Sequence, residues 1–286
     1  MRLSRKVSFL IGLFLAVLLL GTQPVRSQSS VRIDSFYAPS LGRVKSVSVL
    51  LPEPYNPCIR YPVLYLLHGY SGDHTNWGSL TKLGTYVGKL PLIVVMPDGE
   101  NSWYVNSVAV AQDRFEDYVM QDLPRSIQQR YSVDTTKQAI AGLSMGGYGA
   151  IMLALKHPAR FWFAGSLSGA LNYPPAMGDT LRTPGRNLLP SLRRAFGERD
   201  VDFRKRHDVM LLAQEAARDP LPYLYFVIGT SDGFRDFLPV HRALTDQLRA
   251  SGAHYEYHET PGGHNWQYWD REIQPLLSRM KSVLAF

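Results

Sequence analysis

A single cysteine, Cys58, stands in a chain of 286 residues. No intramolecular disulfide can form, so packing rather than cross-linking must hold the fold in any compartment. Cys58 follows the turn-rich stretch Pro52-Glu53-Pro54-Tyr55-Asn56-Pro57, where a buried and chemically idle thiol is expected. Internal repeats are also missing, which excludes solenoid and propeller architectures. Charged residues make up only 19% of the chain against 45% hydrophobic, a balance that excludes disorder and permits a sizeable core. The apolar run Val7–Leu20 falls short of the ~20 residues of a membrane-spanning helix.

That run has another reading. Arg2, Arg5 and Lys6 precede it, Gly21-Thr22-Gln23-Pro24 follow, and the small-residue site Val25-Arg26-Ser27 comes before Gln28. This is the order of a secretory signal peptide, so residues 1–27 are expected to be removed, an uncleaved anchor being the alternative. The leader carries four basic residues (Arg2, Arg5, Lys6, Arg26) and no acidic one, so its removal lowers the formal charge from +7 to +3. The mature chain is therefore not basic enough to imply a nucleic-acid partner. Its expected location is secreted or periplasmic, without stable membrane insertion.

Along residues 28–286, strand-type and helix-type runs alternate. Val31–Leu51 reads as two antiparallel strands turning at Leu41-Gly42. Near-continuous apolar runs at Tyr61–Leu67, Leu92–Met96, Phe161–Leu167 and Tyr223–Ile228 are those of strands buried on both faces. Helical spacing runs from about Asp113 to Tyr131, with Phe115, Tyr118, Val119, Leu123 and Ile127 on one face. Further helices are expected over Phe237–Ala250 and from Trp266 to about Val283, with a short strand at Tyr255–His258 between them. The pattern predicts an α/β fold: a mostly parallel central sheet with helices on both faces, in one domain. Between residues 171 and 207 the alternation lapses. That stretch holds Pro174, Pro175, Pro184 and Pro190, and eight basic residues from Arg182 to Arg206. It reads as a small cap or lid inserted over the site, its basic residues a solvated face or a charge-selective contact.

The chemistry centres on Gly142-Leu143-Ser144-Met145-Gly146, which follows the β-type run Ala139–Ala141 and leads to the helix-type run Ala150–Leu155. It fits the G-x-S-x-G nucleophile elbow, a strained strand-to-helix turn that lifts the serine oxygen above the sheet. The two glycines supply the lack of bulk such a turn demands. A serine hydroxyl needs a base, and the base a third group to hold its tautomer. His264, after Gly262-Gly263 in the loop beyond the last strand, is the expected base among eight histidines. Asp232, in the turn Gly229-Thr230-Ser231-Asp232-Gly233, is the expected acid; its rival Asp236 suits helix capping, and Asp98 precedes the serine. The order Ser, Asp, His is that of α/β-hydrolases. An oxyanion needs two preset N–H donors, expected from the backbone of Met145 and of Tyr70 in the loop after Leu67. Trp77, Trp103 and Tyr104 are expected in loops that line the substrate groove.

Tyr-Leu-Leu-His-Gly-Tyr-Ser-Gly (65–72), Gly-Leu-Ser-Met-Gly-Gly-Tyr-Gly (142–149), Gly-Thr-Ser-Asp (229–232) and Gly-Gly-His-Asn-Trp (262–266) together resemble the esterase D family. This group of α/β-hydrolases includes tributyrin-type and feruloyl esterases, S-formylglutathione hydrolase and the mycolyltransferases. The resemblance spans about residues 30–286 and implies the same nucleophile, acid, base and oxyanion donors. The 171–207 stretch matches no one subfamily, and the leader argues against a cytosolic formylglutathione role. The expectation is a secreted serine carboxylesterase without cofactor or metal, acting on a small-molecule or glycan-linked ester of short-acyl or feruloyl type. An acyltransferase with the same triad is the alternative, and a catalytically silent binding protein a more distant one. Oligomeric state has no signature in this sequence.

Overall fold

The computed structural model describes residues 31–88, 90–173, 188–216 and 220–286. The predicted leader (1–27) and part of the predicted cap, including Pro174, Pro175, Pro184 and Arg182, lie outside the described residues. Among the described residues, one sheet of eight strands forms: β1 (Val31–Ala38), β2 (Arg43–Leu50), β3 (Tyr61–Leu67), β4 (Ile93–Pro97), β5 (Val133–Leu143), β6 (Phe163–Leu167), β7 (Tyr223–Gly229) and β8 (Tyr255–Thr260). Their spatial order is β1-β2-β4-β3-β5-β6-β7-β8, and β2 alone runs against the others. The β1–β2 hairpin closes through Gly42 at φ 64°, a conformation open to glycine at no steric cost.

Strand alternation divides the core in two. On β3, Tyr61, Val63, Tyr65 and Leu67 point to one face, while Leu64 and Leu66 point to the other. On β7, Leu224, Phe226 and Ile228 share the first face, with Tyr225 and Val227 on the second. The first face is covered by α1 (Leu123–Arg130), α2 (Met145–Lys156), α3 (Leu189–Phe196), α4 (Val209–Ala216) and α5 (Phe237–Ser251). The second is covered by α6 (Trp266–Leu284) and the short helices Asn76–Leu80 and Leu83–Val87. Every residue of α2 from Met145 to Leu155 is buried, which is why that helix carries no polar face. No helix among the described residues is long and apolar enough to cross a membrane.

Three expectations change. The helix expected over 113–131 contains a π turn at Tyr118–Asp122, although Phe115, Tyr118, Val119, Leu123 and Ile127 are all buried as the spacing requires. Pro124 has no N–H to offer the Met120 carbonyl, so the regular ladder breaks at that turn. The elbow helix begins at Met145, five residues before its periodicity becomes readable, because Gly146, Gly147 and Gly149 conceal it. Cys58 is exposed rather than buried, in the loop before β3.

Glu116 ties the region of the predicted cap to the body. Its buried carboxylate accepts from Lys156 Nζ (2.6 Å) at the end of α2 and from His157 Nε2 (3.2 Å), and His207 Nε2 lies 3.7 Å away. Burial pushes its pKa up, but His157, His207 and Lys156 outweigh that and hold the carboxyl well below the usual range. A depressed folded pKa gives stability that is present above the unfolded value and is lost as pH falls through the folded one. Glu116→Gln should therefore cost roughly 1.5–3 kcal/mol at neutral pH. In urea melts, the gap to wild type should begin to narrow as pH falls below about 4 and keep narrowing on further acidification; a gap unchanged down to pH 2 would contradict this.

Candidate active site

The carboxyl ends of β3, β5, β7 and β8 lie along one rim, and each delivers one predicted group. At the end of β5, Ser144 holds φ 51° and ψ −117°, a conformation costing about 1–3 kcal/mol that persists only where the surroundings enforce it. They do so through hydrogen bonds: Ser144 N–H donates to Leu167 O (3.0 Å), and Ser144 O accepts from Tyr148 N–H (3.0 Å) and Ala170 N–H (3.1 Å). Gly142 and Gly146 let the chains touch, since a Cβ on Gly142 would stand 2.5 Å from the Gly146 carbonyl carbon.

Past β7, Asp232 sits in a tight turn with its side chain 2% exposed. Its Oδ1 accepts Phe234 N–H at 3.0 Å, which leaves Oδ2 for His264. Past β8, Gly262 at φ 152° packs its backbone against the Tyr268 ring and turns the chain to present His264. His264 Nδ1–H donates to Asp232 Oδ2 at 2.9 Å, and its Nε2 stands 2.9 Å from Ser144 Oγ. An acceptor carboxylate at Nδ1 leaves Nε2 unprotonated and facing the hydroxyl. Asp236 occupies the N-cap position of α5 without a side-chain capping bond, and Asp98 pairs with Lys45 at 2.9 Å. Neither reaches His264 in the described hydrogen bonds.

The Ser144 hydroxyl opens on a cavity of about 450 Å³, a size suited to a small organic ligand. Met145 is the first residue of α2, and Gly69 approaches so closely that a Cβ there would lie 3.4 Å from Ser144 Cβ. Tyr70 thereby joins the cavity wall beside Ser144. Of the three aromatics expected at the groove, Trp103 lines it. Trp77 and Tyr104 do not. Both are buried, Trp77 on a helical turn against Trp266 and Tyr104 fully enclosed beneath the loop. Loop position alone gives no sense of which way a ring faces, and here both rings turn inward.

Sequence reasoning passed over Phe234, Phe237 and Trp269, whose rings stand edge-on to the His264 imidazole at centroid distances of 4.7, 5.7 and 4.9 Å. Their signal was proximity, with two aromatics following Asp232 and Trp266 and Trp269 spaced i, i+3 after His264. Tyr173 and Leu188, flanking the undescribed part of the predicted cap, also line the cavity. The basic residues of that stretch are partly neutralised: Arg194 pairs with Asp113 at 2.6 Å and Arg193 with Glu198 at 3.2 Å.

The sheet, the elbow and the rim cavity define an α/β-hydrolase of the serine type. A substrate-bound fluorophosphonate-binding serine hydrolase of Staphylococcus aureus, FphF, superposes with a TM-score of 0.76 at 25% identity, over 88% of this chain and 98% of that chain. An acetyl esterase of Caldicellulosiruptor saccharolyticus is 28% identical over 227 residues, 77% of this chain and 83% of its own length. A diacylglycerol acyltransferase/mycolyltransferase, Ag85A of Mycobacterium tuberculosis, is 27% identical over 250 residues, covering 78% of this chain and 74% of that protein. The esterase family model described as "Putative esterase" matches residues 38–280. The chain belongs to this esterase family and is a serine ester hydrolase.

Proposed function

We propose that the chain is a secreted or periplasmic, cofactor-free carboxylesterase that cleaves short-acyl or feruloyl-type esters through an acyl-enzyme. The observation that carries this reading is the unbroken chain from Ser144 Oγ through His264 to Asp232, with both links at 2.9 Å, at the floor of a rim cavity.

Ser144 Oγ attacks the ester carbonyl while His264 Nε2 takes its proton. Asp232 keeps the other imidazole proton on Nδ1 and stabilises the imidazolium that forms. The backbone N–H groups of Met145 and Tyr70 receive the oxyanion. His264 then gives its proton to the departing alcohol oxygen. Water, deprotonated by the same nitrogen, attacks the acyl-serine and releases the acid. In this reading residues 1–27 are a cleaved leader, residues 28–286 form one α/β-hydrolase domain, and 171–207 is an insertion over the cavity. The similarity to an acetyl esterase supports a short acyl group. The aromatic wall of Trp103, Tyr173, Phe234 and Phe237 supports tolerance of a flat one.

The test is a panel of p-nitrophenyl acetate, ethyl ferulate and an acetylated sugar, together with fluorophosphonate labelling mapped by mass spectrometry. Hydrolysis of at least one ester and a single adduct on Ser144 are expected. A protein that neither labels nor hydrolyses would overturn the reading. Transfer of the acyl group to a sugar or lipid hydroxyl is a second reading, favoured by the similarity to the mycobacterial acyltransferase. Product analysis with excess acceptor alcohol separates it from hydrolysis.

A further inference from the structure

Trp77 and Tyr104 stay out of the cavity, yet each ends on the loop that supplies Tyr70. Leu67 O accepts Trp77 Nε1–H at 3.0 Å, His68 O accepts the Tyr104 hydroxyl at 2.9 Å, and Gly69 O accepts His68 Nδ1–H at 2.7 Å. Three successive carbonyls are thus each held by a different side chain, and Trp77, Tyr104 and His68 are exposed by 1%, 0% and 1%. The His68 tautomer is set from outside: Gly99 N–H donates to Nε2 at 2.8 Å, so the ring proton must sit on Nδ1. Burial, against opposing contributions from Gly69 O and Asp98, lowers the His68 pKa, in keeping with a neutral ring. Gly72 N–H adds a second bond to Gly69 O at 3.1 Å.

The peptide group is planar and trans, so Gly69 C=O and Tyr70 N–H point opposite ways from one rigid unit. Anchoring the oxygen aims the hydrogen. We propose that Trp77, Tyr104 and His68 form a brace of positioning residues that presets the Tyr70 N–H toward the oxyanion. None of the three touches substrate. The inference rests on the reading of Tyr70 as an oxyanion donor. A preset donor needs no reorganisation when charge develops. Loosening the brace therefore weakens transition-state binding and leaves ground-state binding largely as it was.

Tyr104→Phe removes one hydroxyl and keeps the ring, and His68→Leu removes the Nδ1 donor. His68→Asn returns an N–H near the Nδ1 position. The measurements are kcat and KM on p-nitrophenyl acetate and the inhibition constant of a trifluoromethyl ketone, which forms a serine-bound oxyanion. Loss of a whole oxyanion donor costs ~10²–10³ in kcat, so Tyr104→Phe should lower kcat about 10-fold and His68→Leu about 10²-fold. KM should stay within about twofold, and the ketone should weaken by the same factor as kcat. His68→Asn should recover most of the loss. Melting curves identify any variant that fails to fold, and Tyr104→Phe, which keeps its ring packing, then carries the test. Unchanged kcat and ketone affinity in Tyr104→Phe would overturn the brace, as would a fall in kcat without a matching loss of ketone affinity. The underlying reading is checked separately on the wild type. A wild-type protein that forms no ketone adduct would sink the esterase mechanism itself.

Discussion

Ser144→Ala is expected to lower kcat on p-nitrophenyl acetate about 10⁶-fold. In the proposed mechanism the size of the effect follows from the hydrogen-bonded chain: without Oγ there is no atom to attack, and His264 and Asp232 have no serine proton to move. Triad members act as a unit, so removing the nucleophile forfeits nearly all that the three supply together. Binding and the proposed oxyanion donors should survive, leaving a residual ~10³–10⁴ over water. KM should therefore change little. Stability should hardly move, because alanine meets the same backbone conformation and retains the Leu167, Tyr148 and Ala170 backbone bonds. Activity near that of wild type in the mutant would mean that some other residue is the nucleophile.

Gly146→Ala is expected to damage the fold instead. A Cβ on Gly146 would stand 2.5 Å from His68 O, 2.6 Å from Leu67 O and 2.8 Å from the Leu67 carbonyl carbon. All three atoms are backbone, and the two carbonyls they belong to already hold Trp77 and Tyr104, so no flexible side chain can yield. Either the elbow helix or the end of β3 must shift. Overpacking at such a site costs about 3 kcal/mol, a drop of roughly 6–12 °C in Tm for a chain of this size. The surviving folded fraction should also lose turnover, because the shift falls on the loop that carries Tyr70. A Tm within one degree of wild type would show that the contact relaxes freely.

Part of this architecture could be read from the chain. Ser144 was legible because its flanking glycines interrupt a strand-to-helix transition. Asp232 and His264 were legible because each follows a strand-type run in a glycine-bounded turn. All three are local signals. What escaped was long-range. The placing of β4 between β2 and β3 depends on long-range pairings such as Val63 with Ile93 and Val47 with Pro97, of which no local window carries a trace. Trp77 and Tyr104 look like groove residues by their positions, and only the tertiary packing turns them toward Leu67 O and His68 O. The π turn at Tyr118–Asp122 kept the buried set intact while altering the helix that carries it, a change to which apolar spacing is nearly blind.

The exposed thiol of Cys58 lies before the first residue of β3, whereas His68 follows the last. The seven residues of β3 separate the two ends by roughly 20 Å at the ordinary rise of a strand. Maleimide coupling at that sulfur would tether the enzyme to a bead or a dye with its mouth facing away from the support. No engineered handle and no competing thiol would be involved.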